Sequence, residues 1–346
     1  LKEALDLCLS CKACKSECPA NVDMAKMKAE FMNGWHQQNK STVGEKFFVN
    51  SSKLYPLAAL FPGLSNWISR LGVTKKLLEN IAGISSSRTL PEFSDQTFRS
   101  WWKSYKKKES AKKVALVVDL FTNYHEPEVA KSAVFVLEKM GFQVIVPKVD
   151  ELGRPQLSKG FLKEAKKIAH NAISELKEFA NNEIPVIGLE PSEILTVKDE
   201  FLDLCDEKHL KDAHQLAKHC YTFEEFLASN IELLPTSKFE DSVIVHEHCH
   251  AKALTKKRLS KTILEHVGFK VTELDAGCCG MAGSFGYEKD KFDVSMEIGS
   301  QRLFPAIKED NNRSSVCASG FSCRHQIFDG TETKAKHITQ LISDKI

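Results

Sequence analysis

Two stretches in the second half of the chain combine short apolar runs with amphipathic segments in the same order. The first stretch begins at residue 114 with the β-branched run VALVVDLF, which predicts a buried strand. It continues over residues 128–141 with EVAKSAVFVLEKMG, an amphipathic helical pattern that ends in Gly141, a residue suited to close a helix. The run FQVIVP at 142–147 predicts the next strand. This order predicts a parallel strand pair with a right-handed crossover.

The second stretch repeats this order over residues 241–274. DSVIVHEH predicts a strand, AKALTKKRLSKTILEHVG predicts one helix over 251–268 that ends at Gly268, and FKVTEL predicts a further strand. A shift of 127 residues places Gly141 on Gly268. The sequence therefore predicts an α/β protein with two pseudo-symmetric repeats, 113–235 and 240–346, each built on a parallel sheet. Loops at the carboxyl ends of their strands, where α/β folds bind ligands, can then face a shared cleft.

The first 112 residues have a helical pattern instead. Val22, Met24, Met27 and Phe31 recur at helical spacing, so we expect residues 1–40 to form a small helical, ferredoxin-like segment. An apolar stretch follows within residues 41–112, but Pro56 and a second proline at position 62 interrupt it. We therefore expect a helical linker rather than one long helix.

Composition narrows the class of protein. The 346 residues carry 48 Lys and Arg against 46 Asp and Glu, and this net charge of +2 gives no reason to expect a nucleic-acid partner. No run of 18 apolar residues is present, which excludes a transmembrane helix. The opening residues, LKEALDLC, contain neither a starting Met nor an apolar signal core, so we expect a slice of a longer polypeptide.

The cysteines decide the chemistry that the sequence suggests. Eleven are present, an odd number with one tight cluster and one adjacent pair. This usage indicates thiolates that bind metal in a reducing compartment rather than a secreted disulfide framework. We therefore expect a cytoplasmic protein with metal-bound cysteines.

The first cluster has the spacing of an iron–sulfur motif. Cys8, Cys11, Cys14, Cys18 and Pro19 spell C-x2-C-x2-C-x3-C-P, the bacterial ferredoxin run for a [4Fe–4S] cluster. A zinc site needs four ligands in two pairs, so three cysteines at successive three-residue steps fit zinc poorly. In two-cluster ferredoxins the fourth cysteine ligates the other cluster. Cys18 therefore either closes the same cluster or serves one whose other ligands lie upstream of residue 1.

A second set of cysteines is spread over the last hundred residues. Cys249, the adjacent pair Cys278 and Cys279, and Cys323 are candidate ligands, with Cys317 as a further candidate. Adjacent cysteines ligate one tetrahedral zinc ion only with strain, whereas they can bridge neighbouring iron atoms, or one can bind while the other stays redox-active. The second centre is thus an iron–sulfur centre or zinc.

Glycines and histidines surround these cysteines. The glycines allow a loop whose backbone comes close to a bulky cofactor; they are Gly277, Gly280, Gly283 and Gly286. The motif G-x-G-x-x-G is absent, so a dinucleotide site is not favoured. Of the histidines that alternate around Cys249, His248 and His250 are candidate ligands or hydrogen-bond donors to the cluster.

At these residues the chain resembles the CCG cysteine-rich domain family. That family includes subunits of heterodisulfide reductases and iron–sulfur subunits of glycolate, lactate and glycerol-3-phosphate oxidoreductases. The chain is most similar to the iron–sulfur C-terminal part of FAD-linked oxidases of the D-lactate or D-2-hydroxyglutarate dehydrogenase type. The matching segments are CLSCKACKSECP, LPEF with FRSWW, GRPQLSKG, GLEPSE, HCHAKAL, GCCGMAGSFGYE and SCRHQ.

The chain departs from the family pattern at several positions that usually hold cysteines. Family first repeats usually read CCGRP and EPSC, whereas this chain has Glu151 and Leu152 before GRP, and Glu193 after EPS. The first repeat has therefore lost its thiolates. The family C-x2-C is reduced to Cys323, with Cys317 displaced by three residues.

The resemblance implies an electron-transfer part of a larger oxidoreductase, with no catalytic residues of its own. FAD in an upstream domain or subunit would oxidise a 2-hydroxy acid, and the chain would pass electrons to a quinone or another acceptor. The alternatives are a heterodisulfide-reductase-like thiol enzyme, which the one-sided motif disfavours, and a zinc-stapled docking domain. The apolar stretch 54–84 is expected to pack against the flavin domain; the alternative is peripheral contact with the inner face of a membrane.

Overall fold

The computed structural model describes residues 1–236, 240–255, 257–311 and 313–346. Eight helices precede the first strand within the described residues, and two parallel β-sheets follow, each covered by helices. The α/β class predicted from the sequence is confirmed. The eight helices are α1 (Lys2–Asp6), α2 (Ala13–Glu17), α3 (Met24–Gln38), α4 (Val43–Val49), α5 (Ser51–Ala58), α6 (Pro62–Arg70), α7 (Gly72–Ala82) and α8 (Phe98–Ser104).

The first sheet has four parallel strands in the order β2-β1-β3-β4. Its strands are β1 (Lys113–Val117), β2 (Gln143–Ile145), β3 (Val186–Gly188) and β4 (Cys220–Thr222). The helices around them are α9 (Leu120–Tyr124), α10 (Pro127–Lys139), α11 (Arg154–Ser158), α12 (Leu162–Asn181), α13 (Pro191–Lys198), α14 (Glu200–Leu204), α15 (Glu207–His219) and α16 (Phe223–Ser229), followed by a 3-10 turn at Ile231–Leu233.

The second sheet has three parallel strands in the order β6-β5-β7. Its strands are β5 (Ser242–Val245), β6 (Lys270–Glu273) and β7 (Ser315–Cys317). The accompanying helices are α17 (Cys249–Thr255), α18 (Leu259–Val267), α19 (Phe292–Gln301), α20 (Leu303–Glu309), α21 (Phe321–Thr331) and α22 (Ile338–Ser343), with a 3-10 turn at Phe285–Tyr287.

The two sheets share the strand order that the sequence repeat implies. In each sheet the first strand along the chain is central, the second lies on one side and the third on the other. Gly141 and Gly268, which end the helices before β2 and β6, both have positive φ angles of 91° and 123°. Only glycine adopts these angles without strain, so the same local signal closes both crossovers. The domain boundaries given above remain a prediction.

Three apolar clusters form the core. The central cluster joins residues of both repeats, including Leu116 of β1, Val245 of β5 and Ile338 of α22. A second cluster lies between the first sheet and helices α12, α13 and α15, and a third lies between the second sheet and helices α20 and α21. Because the repeats share one core, the loops after their strands are held in a fixed relation to each other.

Three local expectations differ from the structure. The single helix expected over 251–268 is two helices, α17 and α18. Helix α17 ends at Thr255, whose hydroxyl accepts a hydrogen bond from the Lys257 amide. Pro56 lies inside α5 rather than interrupting it, since a helix of eight residues loses only one backbone bond there. The apolar pattern named for the first helical segment is Val22, Met24, Met27 and Phe31. The side chains of α3 that are buried are instead Ala25, Ala29 and Met32.

None of the helices among the described residues combines the length and the apolar character needed to cross a membrane.

Candidate functional site

The first three cysteines of the amino-terminal motif lie together around α2. The Cys11 thiol interacts electrostatically with Cys8 and Cys14, and burial is the main cause that raises its pKa to about 11. Backbone amides donate to two sulfurs: Ser10 N–H to Cys8 Sγ and Met24 N–H to Cys14 Sγ, both at 3.4 Å. Thiols that converge with amide donors are the setting in which iron–sulfur clusters are bound.

Cys18, at the end of α2, has a different environment. The backbone amides of Val22 and Ala20 bond to its thiol and lower its pKa. The groups that affect Cys11 include two other thiols of the motif, whereas those that affect Cys18 are the amides of the loop after it. Its assignment to the same cluster as Cys8, Cys11 and Cys14 stays a prediction.

A buried lysine holds this cysteine segment against the first repeat. The Lys12 ammonium donates to Asp199 at 2.6 Å and Asp23 at 3.1 Å, and it lies 2.7 Å from Glu200. The lysine is fully buried, and its backbone has a positive φ of 66°. Against burial, which acts in the opposite direction, Lys12 and neighbouring lysines hold the pKa of Asp199 well below its usual range. Sequence reasoning missed Lys12 because two of its three partners, Asp199 and Glu200, lie almost 190 residues away.

The second set of cysteines lies after successive strands of the second sheet. Cys249 begins α17 after β5, Cys278 and Cys279 lie in the loop after β6, and Cys323 lies in α21 after β7. Because the strands are parallel, these three connections meet at one edge of the sheet. The Lys252 ammonium donates to the carbonyl of residue 276 at 2.5 Å and ties α17 to the paired cysteines.

The four thiols form one continuous group. Cys249 is hydrogen-bonded to Cys278, Cys278 to Cys279, and Cys279 to Cys323. The contact with Cys278 and burial raise the pKa of the Cys249 thiol well above its usual value. Clustered thiols therefore stay protonated unless a cation lowers their pKa values, as a bound metal does.

A buried histidine extends this group. One ligand atom each of His246, Cys279 and Cys323 lie within 4.8 Å of one another. Both ring nitrogens of His246 are buried without a hydrogen-bond partner among the described residues, and burial lowers its pKa to about 3. A neutral, unpartnered imidazole beside thiols can serve as a metal ligand. The sequence did not single out His246; its position one residue after a buried strand was the available signal.

His248 and His250, the histidines named from the sequence, lie beside Cys249. Their ligand atoms and the Cys249 thiol fall within 4.8 Å of one another, and His250 Nδ1 is 3.6 Å from Cys249 Sγ. His248 Nδ1 accepts from the His250 amide at 3.2 Å, and its Nε2 is 3.6 Å from Glu190. His248 Nδ1 is therefore occupied by a hydrogen bond, whereas His250 Nε2 is buried and unpartnered among the described residues.

Cys317 is not brought into the group of four. It ends β7, is buried in the central core, and accepts at its carbonyl from His246 N–H at 2.9 Å. The charged groups that affect its thiol are Glu247, Glu224 and Arg324. A strand residue that points into the shared core has a packing role there.

The glycines of the loop differ in what they require. Gly280 has a φ of 95°, and a Cβ at this position would lie 2.3 Å from the carbonyl oxygen of Ser295. Gly286 is also tightly enclosed, whereas Gly277 and Gly283 have nothing within 4 Å of such an atom. Close backbone approach is therefore needed at Gly280 and Gly286, and the other two leave open space.

The two cysteine groups are neighbours. Helix α2 packs against α17, and the Cys11 thiol interacts electrostatically with Cys249. A metal centre on each group would thus have the other as its nearest redox partner.

An apolar cavity of about 400 Å³ adjoins the second group. Cys249, Cys278, Cys279 and Cys323 all line it. The opposite wall comes from the segment named above as a linker, through side chains of α5, α6 and α7. Helices α5–α7 therefore cover the cysteines on this side, and we call these three helices the roof.

Arg88, which follows the roof in sequence, is another residue that the sequence analysis did not identify. Arg88 is fully buried and donates to Gly286 O at 2.8 Å, to Gln326 Oε1 at 2.9 Å and to Asp329 Oδ2 at 2.9 Å. It thereby joins the roof to the glycine loop and to α21, which carries Cys323. Nothing in the local sequence around Arg88 indicates these partners.

The donor sets fit iron–sulfur centres. The second group offers four thiols in contact, and the first offers three that interact electrostatically. In both groups backbone amides donate to sulfur, including Gly280 N–H to Cys278 Sγ at 3.5 Å. The buried imidazole of His246, unpartnered within the described part of the chain, adds an unused donor at the second group. Soft sulfur ligands select iron–sulfur clusters or zinc over hard cations.

Residues 243–327 match the family model of the CCG cysteine-rich domain. The chain is 27% identical over 358 residues to D-2-hydroxyglutarate dehydrogenase of Haemophilus influenzae, covering 99% of this chain and 35% of that protein. It is 28% identical over 293 residues to one of the subunits of the anaerobic glycerol-3-phosphate dehydrogenase of Escherichia coli, covering 83% of this chain and 73% of that relative. It is also 27% identical over 251 residues to lactate utilization protein A 1 of Bacillus mycoides, covering 67% and 97%.

These similarities confirm the resemblance that the cysteine motifs indicated. The matched region, 243–327, contains the four contacting cysteines and the glycine loop. The chain spans about a third of the length of the D-2-hydroxyglutarate dehydrogenases that it matches. It is thus related to parts of oxidoreductases.

Proposed function

We propose, from the match of residues 243–327 to the CCG cysteine-rich domain, that the chain is the iron–sulfur electron-transfer part of an FAD-linked oxidoreductase that oxidises a 2-hydroxy acid. A flavin unit removes two electrons from the substrate, and this chain passes them singly to an acceptor such as a quinone. The chain is not catalytic on its own. The observation that carries the proposal is that the two cysteine groups are neighbours, since α2 packs against α17 and the Cys11 thiol interacts electrostatically with Cys249.

The proposed ligands divide into two sets. Cys8, Cys11, Cys14 and Cys18 hold a [4Fe–4S] cluster, and Cys249, Cys278, Cys279 and Cys323 hold the second centre. Iron–sulfur centres supply one-electron transfer at potentials set by burial and by hydrogen bonds to sulfur. The residues of this chain bury Cys279 and Cys323, direct amides at sulfurs of both groups and fix the separation of the groups through α2 and α17.

A zinc-stapled docking domain is the second candidate. The clustering of His246, Cys279 and Cys323 within 4.8 Å favours it, since one histidine and two or three cysteines suit a tetrahedral ion. A thiol–disulfide enzyme is less well supported, because Glu193 and Leu152 stand where the first repeat would need thiolates.

Metal analysis of cysteine variants tests the proposal. We expect the full-length natural protein, purified without oxygen, to contain iron and acid-labile sulfide, and Cys279→Ser to lose the share that belongs to the second centre. Cys11→Ser should lose the other share. Cys205→Ser is the matched control, because burial and Asp206 rather than the site thiols raise the pKa of Cys205. Stoichiometric zinc without sulfide would instead establish the docking domain.

We also propose that the outer face of the roof packs against the flavin unit. Large apolar side chains are exposed along it, including Leu57, Leu60, Phe61, Trp67 and Leu77. The D-2-hydroxyglutarate dehydrogenases have nearly two thirds of their length outside the matched region, which is enough chain to cover such a face. Lys75 and its neighbour at position 76 make an anionic lipid surface the alternative occupant, in a cytoplasmic protein bound at the membrane's inner face.

Hydroxyl-radical oxidation of tryptophan tests this surface. Within this chain Trp67 is 59% exposed and Trp35 is 37% exposed, so Trp67 should react faster if nothing covers it. In the full-length protein we expect Trp67 to react at least fivefold more slowly than Trp35. Protection that arises only after adding anionic phospholipid vesicles would assign the face to a lipid surface. If Trp67 reacts faster than Trp35 both with and without vesicles, neither the flavin unit nor a lipid surface covers this face.

A further inference from the structure

Buried carboxyl groups occupy the part of the first repeat that has lost its thiolates. Asp119, Glu190 and Glu193 are all buried, and Glu151 is partly buried beside them. Glu193 interacts electrostatically with the other three. Like charges in a dry setting destabilise one another's ionised forms, so such a cluster is costly unless some members hold a proton.

Glu193 is the member with the least compensation. Glu190 accepts from the amides of Ser192 and Phe321, and Asp119 accepts from those of Phe121 and Thr122. Glu193 accepts one described backbone bond, from Leu152 N–H at 2.8 Å, and none of the ion pairs in the described ranges includes it. It is therefore the carboxyl most easily kept neutral.

Its environment sets its protonation in the physiological range. Burial raises the pKa of Glu193 to about 8, and repulsion from Asp119, Glu151 and Glu190 acts in the same direction. On the helices packed against it, Arg154 and His250 also line the cavity. Arg154 is paired with Glu200 at 2.7 Å, so its charge is already compensated. A neutral carboxyl near pH 7 is an acid that can donate a proton.

Glu193 and the cysteine group line the same cavity. The roof contributes Tyr55, Ile68 and Leu78, and Phe93 lies beyond its end, so that much of the enclosing surface is aromatic or aliphatic. A volume of about 400 Å³ is within the usual range for small-molecule sites. A 2-hydroxy acid anion is a poor occupant, because buried carboxyl groups face it and its charge would be unpaired. A flat, neutral, apolar acceptor suits these walls.

We propose that this cavity binds a quinone-class acceptor and that Glu193 is the catalytic residue that delivers a proton to it. The proposal rests on the proposed electron-transfer function, which supplies the electrons. Cysteines in one wall place the electron source beside the ring, and Glu193 in another wall places the proton source there. The first repeat has thus exchanged metal ligands for acid chemistry.

The step balances as a two-electron, two-proton reduction. Quinone, two electrons that an iron–sulfur centre would supply one at a time, and two protons would give hydroquinone. The Glu193 carboxyl breaks its O–H bond as one quinone oxygen forms its own, and the resulting carboxylate regains a proton from solvent. The second proton comes from water. The 2-hydroxy acid, oxidised at the flavin unit, is the reductant that restores the electrons.

Comparing two acceptors in the full-length protein tests the role of Glu193. Decylubiquinone needs protons for its reduction, whereas ferricyanide takes one electron and none. In Glu193→Gln, which keeps the shape and can still accept from Leu152, we expect the ratio of quinone to ferricyanide reduction to fall 10- to 100-fold. The parent's quinone rate should decline as the pH rises through about 8, where Glu193 loses its proton, and the variant should lack that step. Glu175→Gln, on the exposed side of α12, is the control and should match the parent.

A cavity variant keeps the inference testable if Glu193→Gln fails to fold. Ala58→Phe fills the roof side of the cavity, and we expect decylubiquinone binding, measured by equilibrium dialysis, to weaken at least tenfold with the iron content unchanged. Unchanged binding in Ala58→Phe, or an unchanged acceptor ratio in Glu193→Gln, would overturn the inference while leaving electron transfer intact. Absence of iron from the parent would instead overturn the proposed function.

Discussion

We expect Gly280→Ala to abolish metal binding at the second cysteine group, whereas Gly277→Ala leaves it intact. Both residues flank the Cys278 and Cys279 pair, and both changes add the same single methyl group. They differ in the space and the backbone angle available. Comparing these two variants therefore shows whether metal binding depends on the backbone conformation of residue 280 or on any added methyl group in the loop.

The physical reason lies in the backbone of residue 280. Its φ of 95° disfavours any residue with a Cβ, at a cost of ~1–2 kcal/mol. The added methyl would also lie 2.3 Å from the Ser295 carbonyl oxygen and 3.2 Å from Gln326 Nε2. Overpacking of this kind costs ~1–3 kcal/mol, and the loop can relieve it only by moving away from α19. Such a shift takes Cys279 away from Cys323.

Iron and sulfide analysis after oxygen-free purification checks this result, with thermal unfolding as a second reading. Gly280→Ala should lose the iron of the second centre and unfold at a lower temperature. Gly277→Ala should match the parent in both, because nothing lies within 4 Å of its added methyl group. Full iron content in Gly280→Ala would show that the loop adapts and that this contact is not needed for metal binding.

The repeat architecture could be predicted because each of its parts has a local signal. A β-branched run, an amphipathic segment and a glycine at the crossover recur 127 residues apart, and β2 and β6 begin where that shift places them. Parallel pairing then follows from the length of the crossover. Gly141 and Gly268 are needed at positive φ, which is a property of the residue itself.

Contacts between distant segments could not be predicted in the same way. Residues 41–112 read as a linker because their apolar positions do not reveal what they face, yet the roof encloses the cavity. Arg88 and its partner Asp329 are separated by 241 positions, and no spacing rule connects them. Tertiary packing decides such contacts, whereas the end of α17 at Thr255 has a local hydrogen bond, from the Lys257 amide to the threonine hydroxyl.

The cysteine sites also differ in how much local sequence predicts about them. The spacing of Cys8, Cys11 and Cys14 predicts a cluster from local sequence alone, and the Cys11 thiol does interact electrostatically with the other two. The sequence did not decide whether Cys317 is a ligand together with Cys323, because six residues of sequence do not show where a strand ends and the next helix begins. The structure resolves it, since Cys317 ends β7 and packs in the core while Cys323 lies in α21 beside Cys279.

We expect Lys12→Met to destabilise the protein by ~3–5 kcal/mol, the usual cost of removing one partner from a buried ion pair. Methionine retains the length of the stem, so the loss is that of the charge. Lys12 lies within 3.1 Å of three carboxyl groups, those of Asp23, Asp199 and Glu200. Without the ammonium these groups repel one another where little water is available to screen them.

Lys15→Met is the matched control. Lys15 also pairs with Asp199, at 2.5 Å, but its side chain is partly exposed and water screens the pair. We expect a loss below ~1 kcal/mol for this variant, as for surface pairs in general. Urea unfolding of both variants measures the difference. Equal losses would show that the burial of Lys12 does not matter.

The larger consequence of Lys12→Met is that the first cysteine segment separates from the second. Lys12 joins the loop between Cys11 and Cys14 to the first repeat, so amide hydrogen exchange in α2 and α3 should rise well above that in β1. Acid should imitate this change in the parent. Because the folded pKa of Asp199 lies below its unfolded value of ~3.9, its carboxylate stabilises the fold at higher pH and ceases to do so as the pH falls through the folded pKa. Lys12→Met should have a smaller loss of stability over that acid range, since the pairing of Asp199 with Lys12 is already absent and only its pairings with Lys15 and Lys26 remain. Exchange that stays at the parent's level in α2 would mean that other contacts hold the two cysteine groups together.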